Sequence, residues 1–508
     1  MGLARRLGLI VLSAALYAAA FPPLAWSWCA WIALAPLLLA LREATVGGAA
    51  ALGALWGVVA AQGVGTWFVY GVASYYDRPL ALGVLFFAGV ALLLAAPFFA
   101  AFAAAVAWLE RRRGKPVPVL WVAMLWVALE LARARFLVGN PWALLGYSQT
   151  AHARLIQIAD LTGVYGISFV LAAAGAAGAG LLDRRLVPGA RLGRVAVAAA
   201  LAGSVVGYGT WIVDQPRTEG RPLRVAVVQG NVDAGSQWRR DRHGSNLTTY
   251  LVLSQEVLAR ARPDLVVWPE SAVTFFIEEE PAYRMAIRHL FASAGAHLLL
   301  GGPAVAEREP TARFTNAAYL LAPGGTLVDR YDKVHLVPFA EYFPLARFEA
   351  LRRRFARVRV FTPGARLAPL AHPAGPIGTV ICFEAMYPEL VAAEVRAGAR
   401  LLVNLTNDAW MDRTSFARQH LEIARLRAVE SRRWLVRAAA TGISAVIDPR
   451  GRTVAELPAV TAATAVADVQ LLQATTVYTR LGDVFALACA LGSGLVLAGV
   501  ALAHRRPE

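Results

Sequence analysis

The sequence predicts a multi-pass α-helical membrane domain joined to one mixed α/β domain. Of the 508 residues, 57% are hydrophobic and only 17% are charged, whereas a soluble globular domain has about 45–50% apolar residues. The apolar residues gather in long runs in the first 214 positions and near the carboxyl end, and the stretch between them has a soluble composition. A wholly water-soluble or disordered chain is therefore excluded.

Eight apolar runs are long enough to cross a hydrocarbon core of about 30 Å. We expect the first run to be an uncleaved helix rather than a signal peptide, because further runs follow it almost at once. We expect Pro97 to kink the fourth run, which is too long for one straight crossing. The runs are residues 7–22, 24–41, 48–70, 79–109, 117–133, 161–183, 194–213 and 482–503.

Clusters of basic residues fall on alternate connections between these runs, for example at Arg5-Arg6, Arg42 and Arg111-Arg112-Arg113. The positive-inside rule places such clusters in the cytoplasm. They also explain the net charge of +16 without a nucleic-acid partner. The prediction is a membrane protein with both termini in the cytoplasm. Its parts are a membrane domain over 1–214 with about seven transmembrane helices, an external domain over 215–481, and a transmembrane helix with a short cytoplasmic tail over 482–508.

Short β-rich runs alternate with helical patterns in residues 215–481, which indicates a layered α/β sandwich rather than a pure parallel sheet. A Pro-Gly-Gly turn within residues 321–327 predicts a hairpin. Helices are expected at Leu251–Ala261, Pro281–Ala292 and Ser415–Arg432. Strands are expected at Leu223–Val228, Asp264–Trp268, His297–Gly301, Ala317–Leu321, Ile377–Phe383, Leu401–Leu405 and Trp434–Ala438.

The cysteines argue against a disulfide framework, because there are three of them and their spacing suggests no pairs. Cys29 and Cys489 lie inside apolar runs, where a cysteine usually acts as a small hydrophobic residue. Cys382 is the only one in the soluble-looking segment. The eight histidines show no metal-ligand spacing, so we expect no metal and no other cofactor.

Three segments place reactive side chains where apolar strands end: Glu270 in LVVWPES, Lys333 in YDKVHLVPF and Cys382 in GTVICFE. Each has an ordinary alternative: a helix cap, a solvated charge and a core residue, respectively. The lysine stands out, because Lys115 is the only other lysine among the 50 basic residues, and an ammonium is a compact point donor that a guanidinium does not replace. Together the three supply a base, an oxyanion partner and a nucleophile for acyl transfer through a thioester.

The order of these residues, in the contexts WPES, YDKVHLVPFAEYFP and GTVICFEAMYP, resembles the carbon–nitrogen hydrolase (nitrilase) superfamily. That resemblance implies an αββα sandwich with a Glu-Lys-Cys triad, and it continues through NLTNDAW at residues 404–410. Seven predicted spans before the domain and one after it narrow the resemblance to the membrane branch, the apolipoprotein N-acyltransferases.

The resemblance to this branch implies transfer of a fatty acyl chain from a phospholipid, typically phosphatidylethanolamine, to the amino-terminal diacylglyceryl-cysteine of apolipoproteins. It also implies that the membrane is the cell inner membrane and that residues 215–481 form a periplasmic, nitrilase-like catalytic domain. Cys382 would be the nucleophile, Glu270 the general base and Lys333 the oxyanion partner. The tryptophans among the supporting residues have core packing as an alternative, and Phe383 stands where a tyrosine is frequent. The residues that match supporting or substrate-binding positions are Glu341, Trp238, Phe383, Glu384, Asn407 and Trp410.

The expected partners are the phospholipid donor, the diacylglyceryl apolipoprotein acceptor and the membrane, and we expect a monomer. A rival interpretation is a membrane-tethered amidase that uses the same triad to hydrolyse a small amide. A second rival, from another class, is a transporter or inactive lipid-binding membrane protein. Eight spans exceed what a tether requires, and an inactive protein would not need a complete triad.

Overall fold

The computed structural model describes residues 1–75, 77–137, 139–216, 219–232, 239–307, 313–338, 340–342, 360–411 and 414–503, without the side chains of Tyr75 and Trp410. The chain divides into two compact units. The helical unit comprises Met1–Gln215, Met411–Leu426 and the part that begins at Leu481. The α/β unit comprises Pro216–Trp410 and Arg427–Arg480.

The helices of the described chain up to residue 214 are mostly apolar, and so is the last helix, Val484–Ala503. The first twelve are α1 (Leu3–Ala19), α2 (Cys29–Ile32), α3 (Leu34–Leu41), α4 (Val46–Val64), α5 (Thr66–Tyr75), α6 (Leu80–Leu94), α7 (Ala96–Arg113), α8 (Val119–Arg135), α9 (Ala153–Ile156), α10 (Ala159–Thr162), α11 (Val164–Leu181) and α12 (Pro188–Asp214). The remaining six are α13 (His243–Ala261), α14 (Pro281–Ala294), α15 (Pro388–Arg396), α16 (Thr414–Ser431), α17 (Val477–Leu481) and α18 (Val484–Ala503).

Among the described residues, four helices are long and apolar enough to cross a membrane: α4, α11, α12 and α18. The pair α6 and α7, bent by 48°, makes a fifth candidate, and its bend lies beside Pro97, where the sequence predicts a kink. Every predicted apolar run contains a helix. The count is below eight because α1 and α8 have only 17 residues each and the second run is broken into α2 and α3.

One buried amide joins four segments of the helical unit. The Oε1 of Gln419, on α16, accepts hydrogen bonds from the indole nitrogens of Trp67 at 3.1 Å and Trp142 at 2.7 Å. Its Nε2 donates to the carbonyl oxygens of Pro22 at 2.6 Å and Val64 at 3.0 Å. We call these five residues the Gln419 node. All the hydrogen-bonding groups of this side chain are used, as buried polar groups require.

Two mixed β-sheets form the centre of the α/β unit. The six-stranded sheet has the order β11-β1-β2-β3-β4-β5 and the five-stranded sheet the order β10-β9-β8-β7-β6. Strands β1 to β3 are parallel, as are β6 to β8, and the outer strands pair antiparallel. The strands are β1 (Arg221–Gln229), β2 (Leu265–Val267), β3 (His297–Glu307), β4 (Arg313–Leu321), β5 (Leu327–Asp332), β6 (Ile377–Ile381), β7 (Leu401–Thr406), β8 (Leu435–Ala439), β9 (Ser444–Ile447), β10 (Thr453–Leu457) and β11 (Ala463–Leu471).

The sheets pack face to face, because alternate residues of each strand point to opposite sides. In β1, Val225 and Val227 enter the core shared with β7 and β8, while Ala226 and Val228 face the outer core beneath α13 and α14. Helix α15 packs on the other sheet through β6. The result is the predicted αββα sandwich, and the predicted hairpin joins β4 to β5.

Candidate active site

The three reactive side chains stand at strand ends within the α/β unit. Glu270 follows β2, Lys333 follows β5 and Cys382 follows β6. Cys382 has a φ of +54°, a left-handed conformation that costs a non-glycine residue about 1–3 kcal/mol. At Cys382 the chain turns sharply from β6 into the 3₁₀ turn Cys382–Met386. The backbone therefore changes direction at the residue that carries the thiol.

A compact polar cluster surrounds the Glu270 carboxylate. The Lys333 ammonium lies 2.9 Å from Glu341 Oε1 and 3.4 Å from Glu270 Oε1. The Nδ2 of Asn316, on β4, donates to the same two oxygens at 2.8 and 2.7 Å. The Cys382 thiol is hydrogen-bonded to Glu270. We call Glu270, Asn316, Lys333, Glu341 and Cys382 the Glu270 cluster, and each of them is buried.

The second carboxylate oxygens of the two glutamates are held by the backbone. Glu270 Oε2 accepts from the amide of Asn407 at 2.9 Å, and Glu341 Oε2 accepts from the amide of Val337 at 2.7 Å. Every carboxylate oxygen of the cluster therefore has at least one donor. Carboxylates that accept several hydrogen bonds are held in one orientation and are favoured in their ionised form.

The fully buried Glu384 connects the lysine segment to the cysteine turn. Its Oε1 accepts from the Tyr331 hydroxyl at 2.9 Å and from the amides of Val334 and His335 at 2.7 and 3.0 Å. Its Oε2 accepts from the amide of Ile381 at 2.7 Å. One carboxylate thus ties residues on both sides of Lys333 to the residue before Cys382, and burial raises its pKa to about 6.

Burial and neighbouring charges set the ionisation of the cluster. Burial raises the pKa of the Cys382 thiol, and the negative charge of Glu270 raises it further. Burial lowers the pKa of Lys333, but Glu341 and Glu270 more than offset this, so the pKa is raised and the ammonium stays charged. Burial also raises the pKa of Glu270, against the opposing effects of Lys333 and Asn316. The resting thiol is therefore neutral and needs a base to become a nucleophile.

Comparison with known proteins assigns the chain to a family. Residues 224–478 match the carbon-nitrogen hydrolase family, and residues 13–177 match the apolipoprotein N-acyltransferase N-terminal domain. The curated apolipoprotein N-acyltransferase of Geobacter metallireducens is 39% identical over 98% of this chain and 95% of its own length. The chain belongs to the apolipoprotein N-acyltransferase family. Relatives of the same name from Azotobacter vinelandii and Ralstonia nicotianae are 36% and 32% identical, over 97% and 98% of this chain and 95% and 93% of their own lengths.

Solved structures resemble part of the chain at lower similarity. A carbon-nitrogen hydrolase from Helicobacter pylori G27 has 15% identity and a TM-score of 0.39, and the match covers 56% of this chain and 96% of that protein. An amidase from a Nesterenkonia species has 21% identity and a TM-score of 0.38, with coverage of 51% and 93%.

The structure brings most of the predicted site residues of this apolipoprotein N-acyltransferase family member together. Glu341 lies beside Lys333, and Glu384 is hydrogen-bonded to the residue before the Cys382 turn. Asn407 contributes its backbone amide, while its side chain accepts from the amide of Ala409 at 3.1 Å. Phe383 lies next to Cys382 in the chain, and its ring centroid is 6.3 Å from that of Tyr387. Trp238 and the side chain of Trp410 lie outside the described residues.

Asn316 is a site residue that the sequence does not predict. No local signal marks it, because β4 also carries Arg313 and Thr315, and only the fold brings the amide to its two carboxylates. The described residues contain no group of three or more His, Cys, Asp and Glu side chains placed to hold a metal ion. The Glu270 cluster brings together a thiol, a carboxylate and a fixed ammonium, a combination that suits nucleophilic acyl transfer.

Proposed function

We propose that this chain transfers a fatty acyl chain from a phospholipid, typically phosphatidylethanolamine, to the α-amino group of the amino-terminal S-diacylglyceryl-cysteine of apolipoproteins, the last step of lipoprotein maturation. The observation that carries the proposal is that Glu270, Lys333 and Cys382 contact one another in one buried cluster. The shared name of relatives that match nearly the whole chain supports the acceptor.

In the first half-reaction, Cys382 attacks the ester carbonyl of the phospholipid while Glu270 takes the thiol proton. The carbon–sulfur bond forms, and the ester carbon–oxygen bond then breaks. Glu270 returns the proton to the leaving lysophospholipid oxygen. The Lys333 ammonium, held by two carboxylates, is the charged donor for the oxyanion of the tetrahedral intermediate.

In the second half-reaction, the amine of the acceptor attacks the thioester on Cys382. Glu270 accepts a proton from the amine, the carbon–nitrogen bond forms, and the sulfur leaves and regains its proton. The ester of the donor becomes an amide of the product without ATP. The two substrates react in turn, so the kinetics are ping-pong.

For the membrane arrangement we propose eight spans in the cell inner membrane, with both termini cytoplasmic. Residues 1–214 and 482–508 would form the membrane part, and residues 215–481 the periplasmic catalytic domain. The alternate basic connections support this orientation. In a chain whose only other cysteines are buried, Ser245→Cys should react with an impermeant thiol reagent in intact spheroplasts, and Arg184→Cys only after permeabilisation. The reverse pattern would refute this orientation.

The activity is tested with the full chain, phosphatidylethanolamine carrying a labelled acyl chain and a synthetic diacylglyceryl-cysteine peptide. Wild type should N-acylate the peptide, and Cys382→Ala should abolish the product. Cys29→Ala, which removes another buried thiol, is the matched control and should retain activity. N-acylation by Cys382→Ala would refute the thioester route, and turnover of small amides without peptide acylation would favour the tethered amidase.

A further inference from the structure

Asn316 makes hydrogen bonds that the roles of Glu270, Lys333 and Cys382 alone do not explain. A single amide nitrogen has two hydrogens, and here one goes to Glu270 and the other to Glu341, at 2.7 and 2.8 Å. Both hydrogen bonds reach the Oε1 atoms that also face the Lys333 ammonium. Two donors and two acceptors therefore form a closed ring of four groups, and 94% of the Asn316 surface is buried, since its exposure is 6%.

Two carboxylates that approach one ammonium repel each other, and in a buried site one of them tends to take up a proton. A protonated Glu270 could not accept the proton of the thiol. Lys333 alone is poorly placed to prevent this, because it lies closer to Glu341 than to Glu270, at 2.9 against 3.4 Å. The shorter contact to Glu270 comes from Asn316, and that amide has no proton to give up at any ordinary pH.

We propose that Asn316 is a positioning residue that keeps Glu270 ionised and aimed at the Cys382 thiol. The amide supplies hydrogen bonds to both carboxylates without adding charge, so Glu341 can neutralise Lys333 while Glu270 remains free to act as the base. This inference rests on the proposed function only in taking Glu270 as the base of that reaction. The state of Glu270 and the thiol is a property of the protein alone.

The backbone of β4 also connects Asn316 to the lysine. The carbonyl oxygen of Asn316 accepts from the amide of Lys333 at 2.8 Å, so one residue fixes both the side chain of the base and the main chain of the ammonium donor. The neighbouring Thr315 donates instead to Asp332 at 3.0 Å. It is a buried residue of the same strand whose hydrogen bond lies outside the cluster, which makes it a suitable control.

The test measures the alkylation of Cys382 by chloroacetamide as a function of pH, in the detergent-solubilised full chain with Cys29→Ala and Cys489→Ala as background. Alkylation needs Glu270 to be ionised, so its acidic limb reports the pKa of the base. The charged and titratable groups around Glu270 are Lys333, Glu341 and Cys382 itself. Glu384 acts on Lys333 and Asp408 acts on Cys382, and none of these groups is altered in the comparison.

Asn316→Ala should move the acidic limb to higher pH by about one to two pH units, because loss of a hydrogen bond to the ionised Glu270 carboxylate raises the pKa of Glu270 by about that amount. Asn316→Ser retains one hydroxyl donor and disturbs the strand less. It should move the acidic limb by a smaller amount. Thr315→Val should leave the limb where wild type has it. A limb that stays fixed in both Asn316 variants, with the rate lowered equally at every pH, would show a purely structural role and overturn the inference.

Acylation by phospholipid alone, measured on the same proteins, separates this inference from the proposed function. If wild type forms no acyl adduct but the alkylation limb shifts as expected, the function fails and the role of Asn316 stands. If wild type forms the adduct and the limb does not shift, the function stands and the role of Asn316 fails.

Discussion

The Glu270 cluster of the α/β unit and the Gln419 node of the helical unit are both built around a buried side-chain amide. Asn316 donates to two carboxylates beside an ammonium, whereas Gln419 joins two indoles and two backbone carbonyls. Burying charge is costly unless each charge is paired, while a neutral network needs only its hydrogen bonds. The Glu270 cluster contains a thiol beside paired charges and can therefore move a proton, whereas the neutral Gln419 node can only hold segments of the chain together.

Loss of the Glu270 carboxylate should have the largest effect. Glu270→Gln keeps the shape and the hydrogen bond from Asn316 to an oxygen, but it cannot accept the thiol proton. We expect the rate of acyl-enzyme formation to fall by about a thousandfold, within the range of lost general-base catalysis. The measurement is single-turnover acylation with donor phospholipid. A variant that acylates at the wild-type rate would remove Glu270 from the mechanism.

Replacement of the ammonium should have the next largest effect. Lys333→Arg retains the charge but substitutes a wide fork for a point donor in a site where Lys333 is 1% exposed. Loss of one oxyanion donor costs on the order of 3 kcal/mol, or roughly a hundredfold in rate. Acyl-enzyme formation and transfer to the peptide should be timed separately. If acylation by Lys333→Arg is unimpaired, the lysine is only a structural charge.

The Gln419 node should respond in stability rather than in chemistry. Gln419→Leu removes the hydrogen bonds that Gln419 makes with two indole N–H groups and two carbonyls, and loss of the partner of a buried polar group costs about 1–3 kcal/mol. We expect a clear fall in the thermal midpoint of the detergent-solubilised protein. Gln62→Leu is the matched control, because the Nε2 of Gln62 is buried without a hydrogen-bond partner among the described residues. Equal loss from both changes would contradict the importance of the node.

The smallest effects are expected at the two cysteines of the helical unit. Cys29 and Cys489 are buried among apolar residues, where a cysteine packs as a small hydrophobic side chain. Cys29→Ala and Cys489→Ala should each change activity less than twofold, by the usual small effect of trimming such a residue. Peptide N-acylation by the purified variants measures this. Loss of activity comparable to that of Cys382→Ala would show that the reactive thiol had been misassigned.

Much of the α/β fold could be predicted from apolar runs, and the strands that the runs do not predict are partly exposed or short. The runs predict β1 to β4 and β6 to β8. The Pro-Gly-Gly turn predicts that a strand follows β4, without giving the bounds of β5, and neither β10 nor β11 is predicted. These three strands are partly exposed; β10, for example, has a single buried residue, Leu457. An edge position alone is not the cause, because β6 also lies at an edge and all five of its residues are buried. The fourth missed strand, β9, has only four residues.

The site was predictable where chemistry alone selects the residue type. A lysine in an arginine-rich chain and a cysteine at a strand end can be recognised in the sequence. Asn316 and Gln419 could not be assigned in this way, because an amide gains its role only from the partners that the fold brings to it. Asn316 lies 46 positions from Glu270 and 25 from Glu341, and no local pattern connects them.

The central claim, that the charged cluster exists to acylate Cys382, is tested most directly by mass spectrometry of the full chain incubated with phospholipid and no acceptor. We expect a peptide containing Cys382 that is heavier by one acyl chain, and we expect that added mass to disappear when the diacylglyceryl-cysteine peptide is supplied. Peptide N-acylation without any adduct on Cys382, or an adduct on another residue that turns over, would contradict it.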